Sequence, residues 1–448
     1  MRAREQLRTD SARRALQIHV ATGREHDRHA LRIAQGAGQA GRGLRDHLRV
    51  SPFPLHLFLA DKRVLVVGAG AVAARRTRAL LAAGARVEVV SPEVGSDFSG
   101  DVFDVPVARR AFRDADVEGA WLVLACTGVV DAAVASACAS RQIWCVRADE
   151  ASRSDAWVPA TARVDDVVVS VTAGRDPRRA AGLRDALALS LDLGELPLRR
   201  SRAAAGSVAL VGGGPGDPGL LTVRARRLLA GADVVVCDRL APAVHLPADI
   251  EVVAVGKTPG GPSWSQRDIE ALLVDRARQG KRVVRLKGGD VHVFGRGMEE
   301  VTACVEAGVA VEVVPGLSSA LAGPTYAGIP VTARGVTQSF AVVTGHLSPG
   351  DPGSTVDWDA LARLGGTLVL LMAVGRLAAI CEALVAGGRG ADTPVAVVQD
   401  ATLPSQATLV TTLGRAAADA AAVRAPAIVV VGEVVRLRHR VGDGVAQR

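Results

Sequence analysis

A glycine-rich motif early in the chain has the spacing of a phosphate-binding turn. Gly68-Ala-Gly70-Ala-Val-Ala73 stands between a strand-like run, Arg63 to Val67, and a helical stretch, Val72 to Ala83. Glycines allow the turn to close and a pyrophosphate to approach the backbone, while the final alanine permits close packing of helix on strand. The motif therefore favours dinucleotide binding, at Gly68 and Gly70, over an empty tight turn.

The end of the next predicted strand bears on which dinucleotide is bound. Ser91 stands where an acidic residue would contact the ribose 2′-hydroxyl, and Glu93 follows two residues later. No arginine follows that would favour a 2′-phosphate. We therefore expect NAD rather than NADP.

Asp149 is a candidate for chemistry because of its place in the predicted sheet. It follows the strand Ile143 to Val146, at the carboxyl edge where α/β sheets bind ligands. A loop aspartate is, however, also typical of a turn or a cap. The residue alone therefore leaves both interpretations open.

A second set of glycine turns lies further along the chain. The runs are Val211-Gly-Gly-Gly-Pro-Gly-Asp-Pro-Gly-Leu-Leu-Thr222, Lys287-Gly-Gly-Asp290 and Pro315-Gly-Leu-Ser-Ser-Ala320. The first run has no Gly-Lys-Ser/Thr ending, and Pro215 removes an amide donor that a phosphate cradle needs. Three such turns favour a cleft for a non-phosphate ligand over empty structural turns.

The elements that would position these motifs alternate between strands and helices. Further strand-like runs at Ala120 to Ala125, Ile143 to Val146 and Val167 to Val171 predict a parallel sheet covered by helices. Residues 175 to 206 read as a connector with a helix around Ala180 to Leu191. Nine strand candidates then follow: Val208 to Val211, Asp233 to Cys237, Glu251 to Val255, Arg282 to Leu286, Val309 to Val314, Phe340 to Thr344, Thr367 to Met372, Pro394 to Gln399 and Ala427 to Val431. The fold class is therefore α/β, with a Rossmann-like domain followed by a two-lobed α/β domain.

Composition limits the classes of partner. The chain has 448 residues and a net charge of +8, of which residues 1 to 50 carry +6. With aromatic residues at 3%, the remainder lacks the basic and aromatic pattern of nucleic-acid binding. No apolar run approaches the roughly 18 residues of a membrane span. Six scattered cysteines without a Cys-x-x-Cys pair, and no signal region, predict reduced thiols and a cytoplasmic location.

The motifs of both regions resemble known families. The first glycine run, with Cys237-Asp-Arg-Leu240, Val255-Gly-Lys257, Arg285-Leu-Lys-Gly-Gly-Asp290, Phe294-Gly-Arg-Gly297, Val314-Pro-Gly316, Ala327-Gly-Ile-Pro-Val-Thr332 and Val343-Thr-Gly-His346, resembles uroporphyrinogen-III C-methyltransferase. Upstream, the run from Val67 to Arg76 and Cys145-Val-Arg-Ala-Asp149 resemble the precorrin-2 dehydrogenase and sirohydrochlorin ferrochelatase module. The two in this order resemble the multifunctional siroheme synthase family.

The resemblance implies three reactions in one chain. These are two methyl transfers from S-adenosylmethionine to uroporphyrinogen III, NAD-dependent oxidation of precorrin-2, and insertion of Fe²⁺ as a lyase reaction. It makes Asp238 the proton acceptor and Lys257 the proton donor of methyl transfer, and gives Asp149 a role in both oxidation and metal chelation. Positions matching the family's S-adenosylmethionine site are Pro215, Gly288, Gly289, Asp290, Val293, Ser318, Ser319, Met372 and Ala401. Positions matching its NAD site are Ala71, Val72, Pro92 and Glu93.

The resemblance also sets the expected organisation and leaves alternatives. We expect a disordered basic extension at 1–50, a dehydrogenase and ferrochelatase domain at 51–174, a connector at 175–206, a tetrapyrrole methyltransferase domain at 207–437, and a tail at 438–448. The expected partners are small tetrapyrroles and a second copy in a homodimer, with neither nucleic acid nor membrane. The alternatives are an active methyltransferase with an inactive or merely tetrapyrrole-binding first module, and a precorrin methyltransferase of the cobalamin route.

Overall fold

The computed structural model describes residues 53–98, 104–174, 176–196, 198, 205–247, 249–256 and 264–441. The chain divides into two compact units between Val158 and Pro159. The expected extension at 1–50 and the candidate proton donor Lys257 lie outside the described residues. The domain limits expected from the family resemblance stay predictions.

Among its described residues, the first unit contains a five-stranded parallel sheet with two helices. Its strands are β1 (Arg63–Val67), β2 (Arg86–Val90), β3 (Val107–Ala108), β4 (Leu122–Ala125) and β5 (Trp144–Arg147). Its helices are α1 (Ala71–Ala82) and α2 (Asp131–Ala139), with short 3₁₀ turns at Ser96–Phe98, Asp114–Val117 and Ala151–Arg153. The spatial order is β3-β2-β1-β4-β5, with every pair parallel. This order confirms the predicted Rossmann-like sheet.

Burial on both faces explains why the strands of this sheet are almost continuously apolar. In β1, Val64 and Val66 belong to one core cluster, while Leu65 and Val67 belong to the cluster on the opposite face. All four are at most 2% exposed. Because each buried aliphatic side chain contributes roughly 1.5–3 kcal/mol, the two clusters hold β1 at the centre of the sheet.

The predicted strand Val167 to Val171 forms at those residues but not in the parallel sheet. It is β7, and it pairs antiparallel with β6 (Ala160–Val164), a strand the sequence analysis did not predict. The two strands are joined by two residues, of which Asp165 has a φ of 50°. Both strands lie in the second unit, together with α3 (Pro177–Asp192), so the expectation that this run joins the parallel sheet was wrong.

The first lobe of the second unit is another five-stranded parallel sheet. Its strands are β8 (Ser207–Gly212), β9 (Val234–Cys237), β10 (Glu251–Ala254), β11 (Arg282–Lys287) and β12 (Ala310–Val314). Its helices are α4 (Val223–Ala230), α5 (Gln266–Arg278) and α6 (Gly297–Glu306), with a 3₁₀ turn at Pro218–Leu220. The order is β10-β9-β11-β8-β12. The connection after β8 runs towards the β10 edge, whereas the connection after β11 runs towards β12, so the two run in opposite directions from neighbouring strands, a place where α/β sheets bind ligands.

The second lobe is a mixed sheet. Its strands are β13 (Phe340–Thr344), β14 (Thr367–Leu371), β15 (Pro394–Gln399), β16 (Ala407–Thr412) and β17 (Ala427–Val431). Its helices are α7 (Ser319–Tyr326), α8 (Trp358–Arg363), α9 (Leu377–Ala386), α10 (Ala416–Asp419) and α11 (Arg438–Val441), with 3₁₀ turns at Val374–Arg376 and Glu433–Leu437. The order is β13-β14-β17-β15-β16, and only β13 and β14 run parallel. All nine predicted strands of this domain are confirmed, and β16 is an addition.

Within the described ranges, no helix has both the length and the apolar character that crossing a membrane requires.

All six cysteines lie in the described ranges as free thiols, and Cys138, Cys145, Cys304 and Cys381 are buried. The predicted core position is therefore confirmed for these four, and their reduced state stays a prediction.

Candidate active site

The first glycine motif forms a tight turn at the carboxyl edge of the first sheet. Gly68 has a φ of 106°, and a Cβ there would lie 2.8 Å from the carbonyl oxygen of Cys126, so only glycine fits. Gly70 is the N-cap of α1, but no side chain caps this helix and its first turn holds no acidic residue. A Cβ on Gly70 would meet no atom within 4 Å. The helix therefore presents uncapped N–H groups to open space, a site suited to a phosphate.

A second loop packs on that turn. The amide of Gly95 donates to the carbonyl of Ala69 at 3.0 Å, and the Ser91 hydroxyl donates to the carbonyl of Glu93 at 2.5 Å. The loop that carries Pro92 and Glu93 therefore packs against the glycine turn at residues 68–70. The predicted NAD residues that these two loops bring together at one edge are Gly68, Gly70, Ala71, Val72, Pro92 and Glu93.

Asp149 lies just beyond the end of β5 in a bidentate ion pair with Arg147. The Arg147 Nε donates to Asp149 Oδ1 at 3.0 Å, and Nη2 donates to Oδ2 at 2.6 Å. The Arg147 side chain is only 7% exposed, whereas that of Asp149 is 28% exposed. This guanidinium hydrogen bond lowers the pKa of Asp149 from its usual value. The structure therefore leaves Asp149 accessible but already holds both of its oxygens.

Neighbouring groups limit what else this edge can do. Burial raises the pKa of the Cys126 thiol to about 11, so it is protonated at neutral pH and is not a nucleophile. Throughout the ranges that the structure describes, no group of three or more His, Cys, Asp or Glu side chains could hold a metal ion. The assignment of Asp149 to metal therefore stays a prediction.

In the second unit, the three glycine turns converge at the carboxyl ends of β8, β11 and β12. The amide of Gly214 donates to the carbonyl of Gly289 at 3.1 Å, and Gly289 donates back to Gly214 at 2.7 Å. A Cβ on Gly316 would lie 2.2 Å from the Gly289 oxygen and 2.6 Å from Gly212 Cα. Backbones this close leave no room for a side chain. The turns that carry Gly214, Gly289 and Gly316 therefore form one continuous backbone surface, here named the glycine wall, and their convergence agrees with the sequence prediction.

Asp290 holds these turns in place. Its Oδ2 accepts the Gly316 amide at 3.1 Å, and its Oδ1 accepts the amides of His292 at 2.9 Å and Val293 at 3.2 Å. A carboxylate that accepts three backbone N–H groups fixes the loop around it. Asp290 thus orders the turn that carries Gly288 and Gly289, and Val293 is exposed beside it.

The second lobe supplies the other side of this region. A Cβ on Gly289 would lie 3.9 Å from the Ser319 amide, so Gly289 and the first residue of α7 face the same space. The amide of Asp217 in the first glycine run donates to Thr402 Oγ1 at 3.1 Å. The preceding residue, Ala401, is buried in a cluster with Ala320. The glycine wall, α7 and the loop after β15 therefore meet.

Backbone strain marks the second-lobe loops. Met372, Asp400 and Thr402 all have left-handed φ values, of 56°, 48° and 72°. Such conformations are costly for residues other than glycine, above all for a β-branched threonine, and they cluster at functional sites. Leu371, which precedes Met372, lies in the same cluster as Ala401. The predicted S-adenosylmethionine residues near this meeting point are Pro215, Gly288, Gly289, Asp290, Ser318, Ser319, Met372 and Ala401.

Asp238 follows β9 at the same sheet edge. Its side chain is 31% exposed, and its Oδ1 accepts Arg285 Nη2 at 2.5 Å. Arg285 in turn contacts the fully buried Glu300, which also accepts Lys287 Nζ at 2.9 Å. Sequence reasoning missed these three charged residues, although Arg285 and Lys287 stand conspicuously in an otherwise apolar strand. The pairing of Asp238 with Lys257 stays a prediction, because Lys257 is outside the described residues.

Two family models match the chain. The model for tetrapyrrole (corrin/porphyrin) methylases matches residues 207–417, and a model for an NAD(P)-binding family matches residues 55–160. The chain is 37% identical to the siroheme synthase of Chromobacterium violaceum over 87% of this chain and 96% of that protein. It is 37% identical to the siroheme synthase of Ectopseudomonas mendocina, with 86% and 97% covered.

Two further matches, to proteins named for a single activity, cover about half of this chain. The chain is 48% identical to the S-adenosyl-L-methionine-dependent uroporphyrinogen III methyltransferase of Methanosarcina barkeri, over 53% of this chain and 95% of that protein. A solved structure of uroporphyrin-III C-methyltransferase from Thermus thermophilus, complexed with S-adenyl homocysteine, is 43% identical. It covers 52% of this chain and 100% of that chain, with a TM-score of 0.45.

Proposed function

Because the chain belongs to the siroheme synthase family, we propose that it carries out siroheme synthesis as a sequence of three reactions. The second unit methylates uroporphyrinogen III twice to precorrin-2, and the first unit oxidises precorrin-2 with NAD and inserts Fe²⁺ into the product. The observation that carries this proposal is the 37% identity to a siroheme synthase along 96% of that protein. Both family models, in the same order, support it.

Methyl transfer needs a base and a rigid cleft. S-adenosylmethionine, when bound, supplies an electrophilic sulfonium methyl group. An electron-rich pyrrole carbon attacks this methyl when the two are held in line, and positioning then supplies most of the rate enhancement. Asp238, partly exposed at the sheet edge, is the group proposed to accept the proton released from the pyrrole unit. Lys257 is proposed to donate a proton.

The glycine wall fits S-adenosylmethionine. Gly289 opens on space shared with the Ser319 amide, and a side chain at Gly289 would project into it. Backbone groups of Gly288 and Ser319 can bind a ligand that carries few charges, while Met372 and Val293 offer exposed apolar contacts. The fit therefore rests on shape and backbone donors.

The first unit fits a dinucleotide for a different reason. The uncapped N-terminus of α1, with no acidic residue in its first turn, would hold the pyrophosphate. NAD, when bound, supplies a hydride acceptor. Asp149 is the group proposed to remove the accompanying proton and then to receive Fe²⁺ or the pyrrole protons during metal insertion. Each oxygen of Asp149 accepts one hydrogen bond from Arg147, and the exposed part of the carboxylate keeps further lone pairs for a second partner.

The proposal also covers location and assembly. The free cysteines support a cytoplasmic location, where thiols stay reduced. The homodimer expected from the family resemblance stays a prediction.

Stepwise product analysis tests the proposed function. The full chain is incubated anaerobically with uroporphyrinogen III and S-adenosylmethionine, then NAD and Fe²⁺ are added in turn, and each product is identified by mass. We expect precorrin-2, sirohydrochlorin and siroheme in that order. No methylated product would refute uroporphyrinogen III as the substrate, while a reaction that stops at precorrin-2 would establish the alternative of an inactive first module. Methylation of a later, already methylated precorrin, supplied in a parallel incubation in place of uroporphyrinogen III, would then establish the cobalamin-route alternative.

A further inference from the structure

Strand β11 carries two buried cations on one face. Arg285 and Lys287 are 1% and 3% exposed, and residues two apart in a strand point to the same side of the sheet. Both reach the same oxygen of Glu300 on α6, at 3.2 Å from Arg285 Nε and 2.9 Å from Lys287 Nζ. Glu300 is 0% exposed. The three side chains form a charged cluster inside an apolar layer.

The cluster connects to the site through Arg285. While Nε of this guanidinium faces Glu300, Nη1 donates to the carbonyl of Val236 at 3.3 Å and Nη2 donates to Asp238 Oδ1 at 2.5 Å. Each of the three guanidinium nitrogens is therefore bound to a different partner. The guanidinium has one orientation, and its outer nitrogen points at Asp238.

The two oxygens of Asp238 have different surroundings. Oδ1 accepts a hydrogen bond from Arg285, whereas Oδ2 lies 4.0 Å from Lys287 Nζ. A carboxylate fixed by one oxygen cannot rotate freely, so Oδ2 is presented in a constant direction. Precise placement of a base matters because a displacement of 1 Å can cost about 100-fold in rate.

Stability alone is a poor explanation for this cluster. Buried ion pairs can often be replaced by apolar side chains of similar volume without loss of stability, because desolvation offsets their attraction. Here one end of the cluster is fully buried and the other emerges, through Asp238, at the edge where the glycine turns meet. Through these contacts the buried part of the cluster restricts the movement of the Asp238 carboxylate.

We propose that Arg285 is a positioning residue for methyl transfer, with Glu300 and Lys287 holding its guanidinium so that Asp238 Oδ2 faces the reacting pyrrole. This inference rests on the proposed role of Asp238 as proton acceptor. It adds a residue that acts through Asp238 and does not itself contact the substrate.

Steady-state kinetics of the full chain test the proposal. The variant Arg285→Gln leaves Lys287 paired with Glu300 and should lower kcat for methylation of uroporphyrinogen III by about 10- to 100-fold. The KM for uroporphyrinogen III and the Kd for S-adenosylhomocysteine should stay within about twofold, since no binding contact is lost. Oxidation of supplied precorrin-2 by NAD should be unchanged. An unchanged kcat would overturn the proposal, and so would a fall in S-adenosylhomocysteine affinity that accounted for the whole loss.

The same strand offers a matched control. Arg282, three residues earlier in β11, pairs with Asp233 at 3.4 Å near the opposite edge of the sheet. The variant Arg282→Gln likewise breaks an ion pair between an arginine and an aspartate. It should keep kcat within about twofold of the parent. An equal loss of kcat in both variants would show a general effect of ion pairs in the sheet and would overturn the specific role of Arg285.

A double variant separates this inference from the proposed function. If Arg285 acts through Asp238, then Arg285→Gln should lower kcat no further in an Asp238→Asn background. Full activity of Asp238→Asn would instead refute the proton-acceptor role itself. An inactive Asp238→Asn together with a fully active Arg285→Gln would leave the proposed function standing and overturn the inference.

A second variant keeps the test decisive if Arg285→Gln does not fold. Arg285→Lys keeps a positive charge, so the buried charges still balance, but a single ammonium group cannot bridge Glu300 and Asp238 as the guanidinium does. We expect a reduced kcat with the KM for uroporphyrinogen III retained. Parental kcat in this variant would overturn the proposed function of the cluster.

Discussion

Arg147 donates two hydrogen bonds to the two carboxylate oxygens of Asp149, at 3.0 and 2.6 Å. The arginine is buried and the aspartate is accessible, so Arg147 holds the Asp149 carboxylate in a fixed place at the carboxyl edge of the first sheet. The proposed oxidation and metal insertion both depend on this aspartate. Arg147 therefore sets both the orientation and the charge of the group on which the proposed chemistry of the first unit depends.

The first prediction concerns the charge of Asp149. Because the hydrogen bond from Arg147 lowers the pKa of Asp149 below its usual value near 3.8, Arg147→Gln should raise that pKa. The measurement is a carboxyl ¹³C titration of aspartate-labelled protein, with Asp149→Asn identifying the resonance. An unchanged titration midpoint in the variant would show that Arg147 does not control this carboxylate.

The same ion pair has a predicted effect on stability. A carboxylate whose pKa is lower in the folded chain than in the unfolded chain stabilises the fold above the unfolded pKa, and this contribution is lost as pH falls through the folded value. The melting temperature of Arg147→Gln should therefore lie below that of the parent at pH 7, and the gap should narrow below pH 4. A gap independent of pH would point to packing rather than charge.

The second prediction separates the two units by chemistry. Asp149→Asn keeps the shape of the side chain but removes the base, so precorrin-2 should accumulate from uroporphyrinogen III without formation of NADH. Methyl transfer should continue at the parental rate. Asp114→Asn, which changes another exposed aspartate of the same unit, should form NADH normally. Normal NADH formation in Asp149→Asn would assign the proton to another group.

The third prediction concerns the glycine wall. Gly316→Ala places a Cβ 2.2 Å from the Gly289 oxygen, so the two turns must separate. We expect about 1–3 kcal/mol of lost stability in chemical denaturation and weaker S-adenosylhomocysteine binding by calorimetry. Gly365→Ala is the control, because a Cβ there meets no atom within 4 Å. Equal binding in both variants would place the ligand away from these turns.

The fourth prediction uses opposite effects on folding and binding. Ala71→Asp adds a carboxylate to the uncapped first turn of α1, which should stabilise the helix by about 0.3–1 kcal/mol. The same charge should repel a pyrophosphate and weaken NAD binding by about tenfold, whereas Ala71→Asn should change affinity much less. The readouts are the melting temperature and the NAD dissociation constant. Unchanged affinity in Ala71→Asp would move the dinucleotide away from this helix.

The parallel sheets could be predicted because their signals are local. Continuous apolar runs such as Arg63–Val67, ended by glycine turns, mark strands that are buried on both faces. The glycine turns of the second unit were also recognised as neighbours, since the carboxyl ends of parallel strands lie at one edge. The β-α-β pattern gives the handedness of each parallel connection, but the order of the strands within each sheet was not predicted.

Elements whose stability comes from pairing were missed. The strand Ala160–Val164 is half-exposed, and its hairpin turns through Asp165-Asp166 without a glycine, so neither an apolar run nor a turn signal marked it. Strand Ala407–Thr412 is likewise a partly exposed edge strand with three threonines. Such strands are specified by their hydrogen-bonded neighbour, β15 in the latter case, rather than by their own composition.

The charged contacts were beyond sequence reasoning for a geometric reason. Arg285 and Glu300 are 15 residues apart, and their meeting depends on how α6 packs on β11. The bond from Arg285 to Asp238 spans 47 residues and depends on the parallel register of β9 with β11. A charged residue within an apolar strand indicates that a partner exists but does not identify it.

The charges around Arg285 balance, since Arg285 and Lys287 carry two positive charges and Glu300 and Asp238 two negative ones. Loss of any one leaves a buried or half-buried charge without compensation, at a cost of about 3–5 kcal/mol for a fully buried pair. Substitutions in this cluster can therefore avoid that cost only when one cation and one anion are replaced together. Relatives in which Glu300 has become neutral should also have lost a cation at Arg285 or Lys287, so covariation at these positions would record the electrical neutrality of the group.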